Sequence, residues 1–284
     1  MSHPRAPSSP VPLHGIVTAD AAAIRALRDA PPPEGAPALP SRFLRHADEH
    51  TVVGVRAVME AMAARPSDAD RFERFAVVAA PCGAGRPASA RTLVQLRAGG
   101  AVTVSPHVVP QCSLHAVAAA VSVGLGMHGP NVGVGGGPEA LGEGILAALS
   151  LLDEPDVDGC WLVLTAWDTE PALDDAGDAP SEALCRGVAL ALDRSATATL
   201  SLSLRRAPAL AVVGADGPRD DGSRLLAEFA SALGAAGRWR GPGAGRAGDC
   251  DGCLWTHRLR WGGRVTLAHD AAAMVVPLSA RRAA

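Results

Sequence analysis

A glycine-rich bend between an apolar strand and an apolar helix is the part of this sequence best placed to do chemistry. Residues 133–139 of the bend read GVGGGPE. A strand that enters a helix through a sharp bend often presents a nucleophile or binds an anion, because the first N–H groups of the helix are free. The bend contains no cysteine, and Pro138 has no group that could attack a substrate. The pattern therefore leaves anion binding open and argues against covalent catalysis here.

Nucleotide binding through residues Gly133 to Gly137 is the first alternative. The run follows a predicted strand and opens a predicted helix, as a dinucleotide-binding loop does. The glycine spacing of that loop, however, fails at Pro138. No acidic residue clearly ends a strand about twenty positions later, as the motif requires. The sequence gives this alternative weak support.

Two further groups of residues could carry chemistry. Cys112 precedes an apolar helix and is a candidate for a displaced nucleophile, although buried cysteines of this kind are usually inert. Cys250, Cys253 and His257 supply part of a zinc ligand set. A fourth ligand is missing and no second cysteine pair follows at zinc spacing, so we expect neither a metal nor another cofactor.

The elements around the bend are predicted from hydrophobic spacing. Helices are expected at 113–125 and 139–152, and continuous apolar strands at 75–80 and 160–166. A strand at 131–134 leads into the bend. This strand–helix–strand order predicts an α/β fold with a mostly parallel or mixed sheet and helices on its faces.

The flanking segments are less regular. Residues 1–40 are rich in Pro and Ala, with a strand at 14–18 and a helix at 21–29. Leucines 200, 202 and 204 alternate with Ser201 and Ser203, which predicts a strand with one dry and one wet face. Residues 209–284 hold a helix at 224–233, a Gly/Arg loop, and a hairpin closed by Gly262-Gly263. The helix at 48–64 is predicted to be amphipathic, with Arg56 and Glu60 on its wet face.

Composition excludes several classes of protein. The chain has 284 residues and a formal net charge of -3, so no nucleic-acid-binding stripe is expected. No run is long and apolar enough for a membrane span, and the N-terminus lacks the apolar region of a signal peptide. The six cysteines are expected to be reduced. These features predict a soluble, cytoplasmic protein.

Four short motifs, in order along the chain, resemble the beta-ketoacyl synthase family of the thiolase fold. They are Val104–Pro106, Gly124-Leu125, Gly129–Asn131 and Leu141–Glu143. In an active synthase the strand between the last two motifs ends in the nucleophilic cysteine. Here the position that resembles it is Pro138, with neighbours Gly137 and Glu139, and the bend is about four residues shorter than in an active synthase. Segments resembling the two catalytic histidine motifs of the family are also missing.

This Cys-free pattern is most similar to the small chain-length-factor-type homologues of aryl polyene and polyketide clusters. The resemblance implies the N-terminal half of a beta-ketoacyl synthase over 41–208, between the N-terminal segment 1–40 and a C-terminal appendage over 209–284. It also implies a non-catalytic subunit of fatty acid, polyene or polyketide biosynthesis. Its partners would be a catalytic beta-ketoacyl synthase, in a heterodimer, and an acyl carrier protein.

In the family, the strand before the bend and the helix ahead of it lie at the dimer axis. The resemblance therefore implies an interface that includes Ser105, Pro106, Val109, Leu114, Val117, Val121, Asn131, Val132 and Val134. A shortened core is also expected to expose an apolar face that needs a partner. An acyltransferase with a displaced nucleophile remains the second hypothesis.

Overall fold

Nine strands in two sheets make up the β-structure of the described residues. The structure is a computed structural model that describes residues 8–206, 222–236, 252–259 and 262–269, without the side chains of 67–70 and 206. The strands are β1 (Ser8–Pro10), β2 (Leu13–Ala19), β3 (Ala76–Pro81), β4 (Asn131–Gly133), β5 (Cys160–Trp167), β6 (Cys185–Leu192), β7 (Leu200–Arg206), β8 (Cys253–Arg258) and β9 (Gly263–His269).

In the described part of the chain, seven α-helices connect or cover these strands. They are α1 (Ala21–Asp29), α2 (Glu49–Ala63), α3 (Arg86–Gly99), α4 (Val108–Gln111), α5 (Ala116–Gly124), α6 (Ala140–Leu151) and α7 (Gly222–Ala236). Short 3-10 helices span Pro66–Arg74 and Ala101–Thr103. Asp20 caps α1 and Asp48 caps α2, each by accepting a backbone N–H three residues ahead.

The first sheet is mixed, with the strand order β2-β6-β5-β3-β4. β3 pairs in parallel with both β4 and β5, as the strand–helix–strand order predicted. β6 pairs antiparallel with β5 and with β2. Every residue of β3 and β5 is buried, because helices cover both faces of these strands.

The elements stack in four layers. α2 and α5 pack on one face of the first sheet, where Val77, Trp161 and Val163 share a core with Val55 and Val121. α6 and α7 pack on its other face and are covered in turn by the second sheet. In that core Ile145 and Phe229 meet Leu162 from one sheet and Leu202 and Leu267 from the other. The bend before α6 thus lies at the edge of a layer enclosed by two sheets.

The second sheet is antiparallel, with the strand order β1-β7-β9-β8. Leu200, Leu202 and Leu204 are buried, whereas Ser201 and Ser203 are partly exposed, which confirms the dry and wet faces predicted for this strand. The sheet joins strands from all three expected segments, since β1 pairs with β7 and β7 with β9. The division into 1–40, 41–208 and 209–284 stays a prediction.

Two local predictions were wrong. Arg56 is buried, not on a wet face, and its guanidinium donates to the backbone oxygens of Leu27, Ala30 and Pro31 at the end of α1. The hairpin turn is wider than Gly262-Gly263, because Gly263 already belongs to β9 and Gly262 N–H donates to Leu259 O at 2.9 Å. For Arg56 a tertiary contact with the end of α1 replaced the local rule, whereas at the hairpin local turn hydrogen bonds set the strand ends.

Candidate functional site

The glycine-rich bend connects β4 to α6, at the sheet–helix junction that the sequence predicted. Gly135 and Gly136 have φ of +82° and +98°, a region that favours glycine. Gly136 forms an isolated parallel bridge with Cys82, and Gly83 N–H donates to Gly136 O at 3.2 Å. The bend is therefore fastened to the chain that leaves the neighbouring strand β3.

Pro138 is exposed at the end of this bend, two residues before α6 begins. The first residue of α7 approaches it closely: a Cβ on Gly222 would lie 2.7 Å from Pro138 O and 2.9 Å from Cys82 Sγ. Gly137 has open space around its Cα. Three segments that are distant in sequence thus meet at the bend, namely the end of β3, the bend itself and the start of α7.

Glu139 is half-buried at the N-cap position of α6, and its side chain makes no capping hydrogen bond. Its carboxylate still lies near the positive end of the helix dipole, as does Glu143 in the first turn. This placement agrees with a stabilising acid rather than a reacting group.

Cys82 is the residue at the bend that sequence reasoning missed. It follows the buried strand β3, is half-buried, and donates its N–H to Thr165 O at 2.7 Å. The only signal in the sequence was a cysteine directly after an apolar strand. Because β3 and β4 are parallel neighbours, their ends bring this thiol beside the bend.

Cys112 packs elsewhere, against the first turn of α3. Its Cα and Cβ contact Gly85, and its Sγ lies 3.2 Å from Ser89 Oγ. Two other cysteines lie in the first sheet and are fully buried. Burial raises the pKa of Cys160 to about 12. The pKa of Cys185 is also raised, mainly by burial and to a smaller extent by the negative charges of Asp48 and Glu49.

The residues expected at an interface fall into two groups. Ser105, Pro106, Val109 and Leu114 are exposed, and Asn131, Val132 and Val134 are half-buried along β4 and the start of the bend. Val117 and Val121 are buried in this chain's own core, and a Cβ on Gly54 of α2 would lie 2.8 Å from Val117 Cγ1. Their side chains are therefore not available to a partner.

Exposed apolar side chains occur on α4, on α5 and in the short 3-10 helix Ala101–Thr103. Val102 is 95%, Val109 74% and Val123 72% exposed. Leu93 on α3 is a further exposed apolar side chain. β4, which contacts α5, pairs with β3 only, and no other described strand borders it. Val77 N–H donates to Pro130 O and Val134 N–H donates to Ala79 O, so the backbone groups of Asn131 and Gly133 point to the free edge.

The structure describes only part of the zinc ligand set that the sequence suggested. Cys250 lies outside the described residues, Cys253 begins β8, and the His257 ring stacks on Trp255 at 5.8 Å. Within the described ranges no three His, Cys, Asp or Glu side chains cluster as a metal site would require. Nor does any helix described here combine the length and apolarity needed to cross a membrane.

A cavity of about 440 Å³ opens on the opposite side of the first sheet from α6. Its lining comes from α1, α2, α3 and the end of β5, and includes Arg25, Arg45, Asp48 and Trp167. No residue of the bend lines it. This cavity therefore gives no support to nucleotide binding through the glycine run.

The comparison with solved structures decides the fold. A chain in the complex of the ketosynthase ApeO with its chain length factor ApeC, from Xenorhabdus doucetiae, matches with a TM-score of 0.55. The identity is 12%, and the match covers 92% of this chain and 99% of that chain, so the two are similar in length. The chain has a ketosynthase-like, thiolase-type fold.

Two weaker similarities are of the same kind. The complex AntDE:AntF, a type II polyketide synthase acyl carrier protein with its ketosynthase, matches at 16% identity with a TM-score of 0.47, over 80% of this chain and 73% of that chain. The ishigamide ketosynthase/chain length factor matches at 16% identity with a TM-score of 0.45, over 81% and 74%. No protein-family model and no curated protein matches the sequence.

Proposed function

We propose that this chain is a non-catalytic subunit of the chain-length-factor type, which pairs with an active beta-ketoacyl synthase. The observation that carries the proposal is Pro138 at the bend of a ketosynthase-like fold, where thiolate attack would need a cysteine. The sequence also has no segment resembling the family's catalytic histidine motifs. This chain alone therefore lacks both the nucleophile and the decarboxylation groups that condensation requires.

The proposed docking surface consists of the free edge of β4 and the exposed apolar side chains of α4 and α5. An unpaired strand edge is a template for a strand from another chain, and exposed apolar side chains favour association. We add Val123 to this surface because its side chain is exposed on α5. The other residues of the surface are Ser105, Pro106, Val109, Leu114, Asn131, Val132 and Val134. In this role the subunit shapes the tunnel of its partner and so limits the length of a polyketide or polyene chain delivered by an acyl carrier protein.

Substitution of Asn131 tests the docking surface. Asn131→Pro removes an N–H that points to the free edge and leaves the backbone bonds to β3 intact, while Asn131→Ala keeps that N–H. After co-expression with a ketosynthase of the same genome, we expect the wild type and Asn131→Ala to co-elute with it in size-exclusion chromatography. Asn131→Pro should elute alone while remaining folded by circular dichroism. Equal complex formation by both variants would contradict docking through this edge.

The acyltransferase alternative keeps one supporting observation, because the Cys82 thiol lies at the bend. Incubation of the purified chain with an acyl thioester, followed by intact-mass measurement, separates the two hypotheses. We expect no covalent acyl adduct. A stable adduct that Cys82→Ser or Cys112→Ala abolishes would overturn the non-catalytic assignment. A nucleotide-dependent rise in melting temperature would likewise revive nucleotide binding through the glycine run.

A further inference from the structure

Three arginines lie side by side across the second sheet. Arg205 on β7 is directly opposite Arg264 on β9, and Arg264 is directly opposite Arg258 on β8. Residues paired in this way point to the same face of an antiparallel sheet, and all three are exposed. We call Arg205, Arg264 and Arg258 the arginine row.

The arginine row has no compensating charge in the part of the chain that the structure describes. None of the three guanidinium groups takes part in an ion pair or side-chain hydrogen bond there. Like charges directly opposite one another destabilise a sheet. Among the described residues nothing offsets this repulsion, and an anionic partner would.

The surface beside the arginine row carries small, mostly polar side chains. The next outward row holds Ser203, Thr266 and Thr256, with Thr256 and Thr266 hydroxyl oxygens 3.4 Å apart. Beyond it lie Ser201 and Ala268. These small side chains leave room for an element to lie over the sheet, with hydroxyl groups that can donate to carboxylates.

The spacing of the arginine row fits the acidic face of a helix. Neighbouring strands are about 4.8 Å apart, so the row spans roughly 10 Å. Carboxylates at positions i, i+4 and i+7 of an α-helix are separated by about 5–6 Å and together also span roughly 10 Å. A helix that crosses the strands would set one carboxylate against each arginine.

We propose that the arginine row is a docking site for an acidic helix of a partner protein, distinct from the β4 edge. Charge excludes a second copy of the row, because it would repel the first. Nucleic acid is disfavoured because the chain carries a net charge of -3 and the row is short. The inference does not depend on the proposed function, since the row lies on the other sheet.

The test uses the full chain and two synthetic helical peptides, one with Glu at i, i+4 and i+7 and one with Gln there. Binding is followed by fluorescence anisotropy at low and at raised salt. We expect the Glu peptide alone to bind, with an affinity that falls as salt rises. The variant R205Q/R258Q/R264Q should lose at least tenfold in affinity, whereas R25Q/R45Q/R97Q, an equal charge change elsewhere, should keep it.

Three results would overturn the proposal. The first is that the Glu peptide does not bind the wild type, or that it binds the two triple variants with equal affinity. The second is tighter binding of a single-stranded oligonucleotide than of the Glu peptide, which would assign the row to nucleic acid. The third is a lower melting temperature for Arg264→Gln: relief of charge repulsion should raise it, and a fall would mean that the row is paired within the chain.

Discussion

At the residue scale, the bend brings together Pro138, whose side chain has no reactive group, and the thiol of Cys82 from the end of β3. Among the described residues, the only thiol at the bend is that of Cys82, which follows the neighbouring strand β3. Neither Cys160 nor Cys185 can substitute, because burial raises the pKa of each thiol and keeps it protonated. Among the cysteines described at the bend and in the first sheet, Cys82 is therefore the one that is not fully buried.

Asp48 gives a pH-dependent prediction at the same scale. Burial raises its pKa above the ordinary value of 3.8, against the opposing effects of His50 and of the hydrogen bond to Thr51. The folded state then binds the proton more tightly than the unfolded state, so Asp48 reduces stability as pH rises from about 3.8 through its folded pKa. Asn keeps the cap but cannot ionise.

We therefore expect Asp48→Asn to lose less stability than the wild type between pH 4 and pH 7. Urea unfolding at several pH values measures the difference, and Asp48→Ala, which removes the cap, is the control. That control should be about 1 kcal/mol less stable than Asp48→Asn at every pH, because neither variant can ionise at position 48. A wild type that gains stability relative to Asp48→Asn over this range would show that Asp48 is stabilised as a carboxylate.

At the element scale, α5 separates a core face from an outward face. Val117 on one side packs against α2, and Val123 on the other is 72% exposed. A charge at Val117 would be buried without a partner, so Val117→Asp should destabilise the fold by about 3 kcal/mol or more. Val123→Asp should leave the unfolding midpoint nearly unchanged and weaken ketosynthase binding.

Urea unfolding and co-purification measure these two effects separately. If Val123→Asp destabilised the chain as much as Val117→Asp does, the outward face of α5 would belong to the core. If Val123→Asp bound the ketosynthase normally, α5 would lie outside the interface while the β4 edge could still form it.

At the scale of the whole molecule, the second sheet explains how a short ketosynthase-like chain remains folded. The expected exposed apolar face is not found on the outside of this sheet, where the described residues present Ser, Thr and Arg. Its inner face shares one core with α6, α7 and the first sheet. Exposed apolar side chains occur instead on α3, α4 and α5, of which α5 contacts β4.

This shared core predicts a single unfolding transition. Leu267 on β9 is fully buried between the layers, and Leu267→Ala should cost about 2–5 kcal/mol. Far-UV circular dichroism and tryptophan fluorescence in urea should shift together, with an unchanged slope. Two separate transitions in the variant would mean that the second sheet unfolds on its own.

The sequence by itself determined the parts that depend on local spacing. Hydrophobic periodicity placed β3, β5 and α6 within one or two residues, and the motif order around Pro138 indicated a ketosynthase-like fold. Tertiary structure decided what depends on neighbours distant along the chain. It brought Cys82 and Gly222 to the bend, turned Val117 and Val121 inward, buried Arg56 against α1, and aligned three arginines that lie up to 59 positions apart. The spacing of apolar residues determines which element a segment forms. Burial and strand register arise only when the elements pack, and burial and register decide which groups face one another.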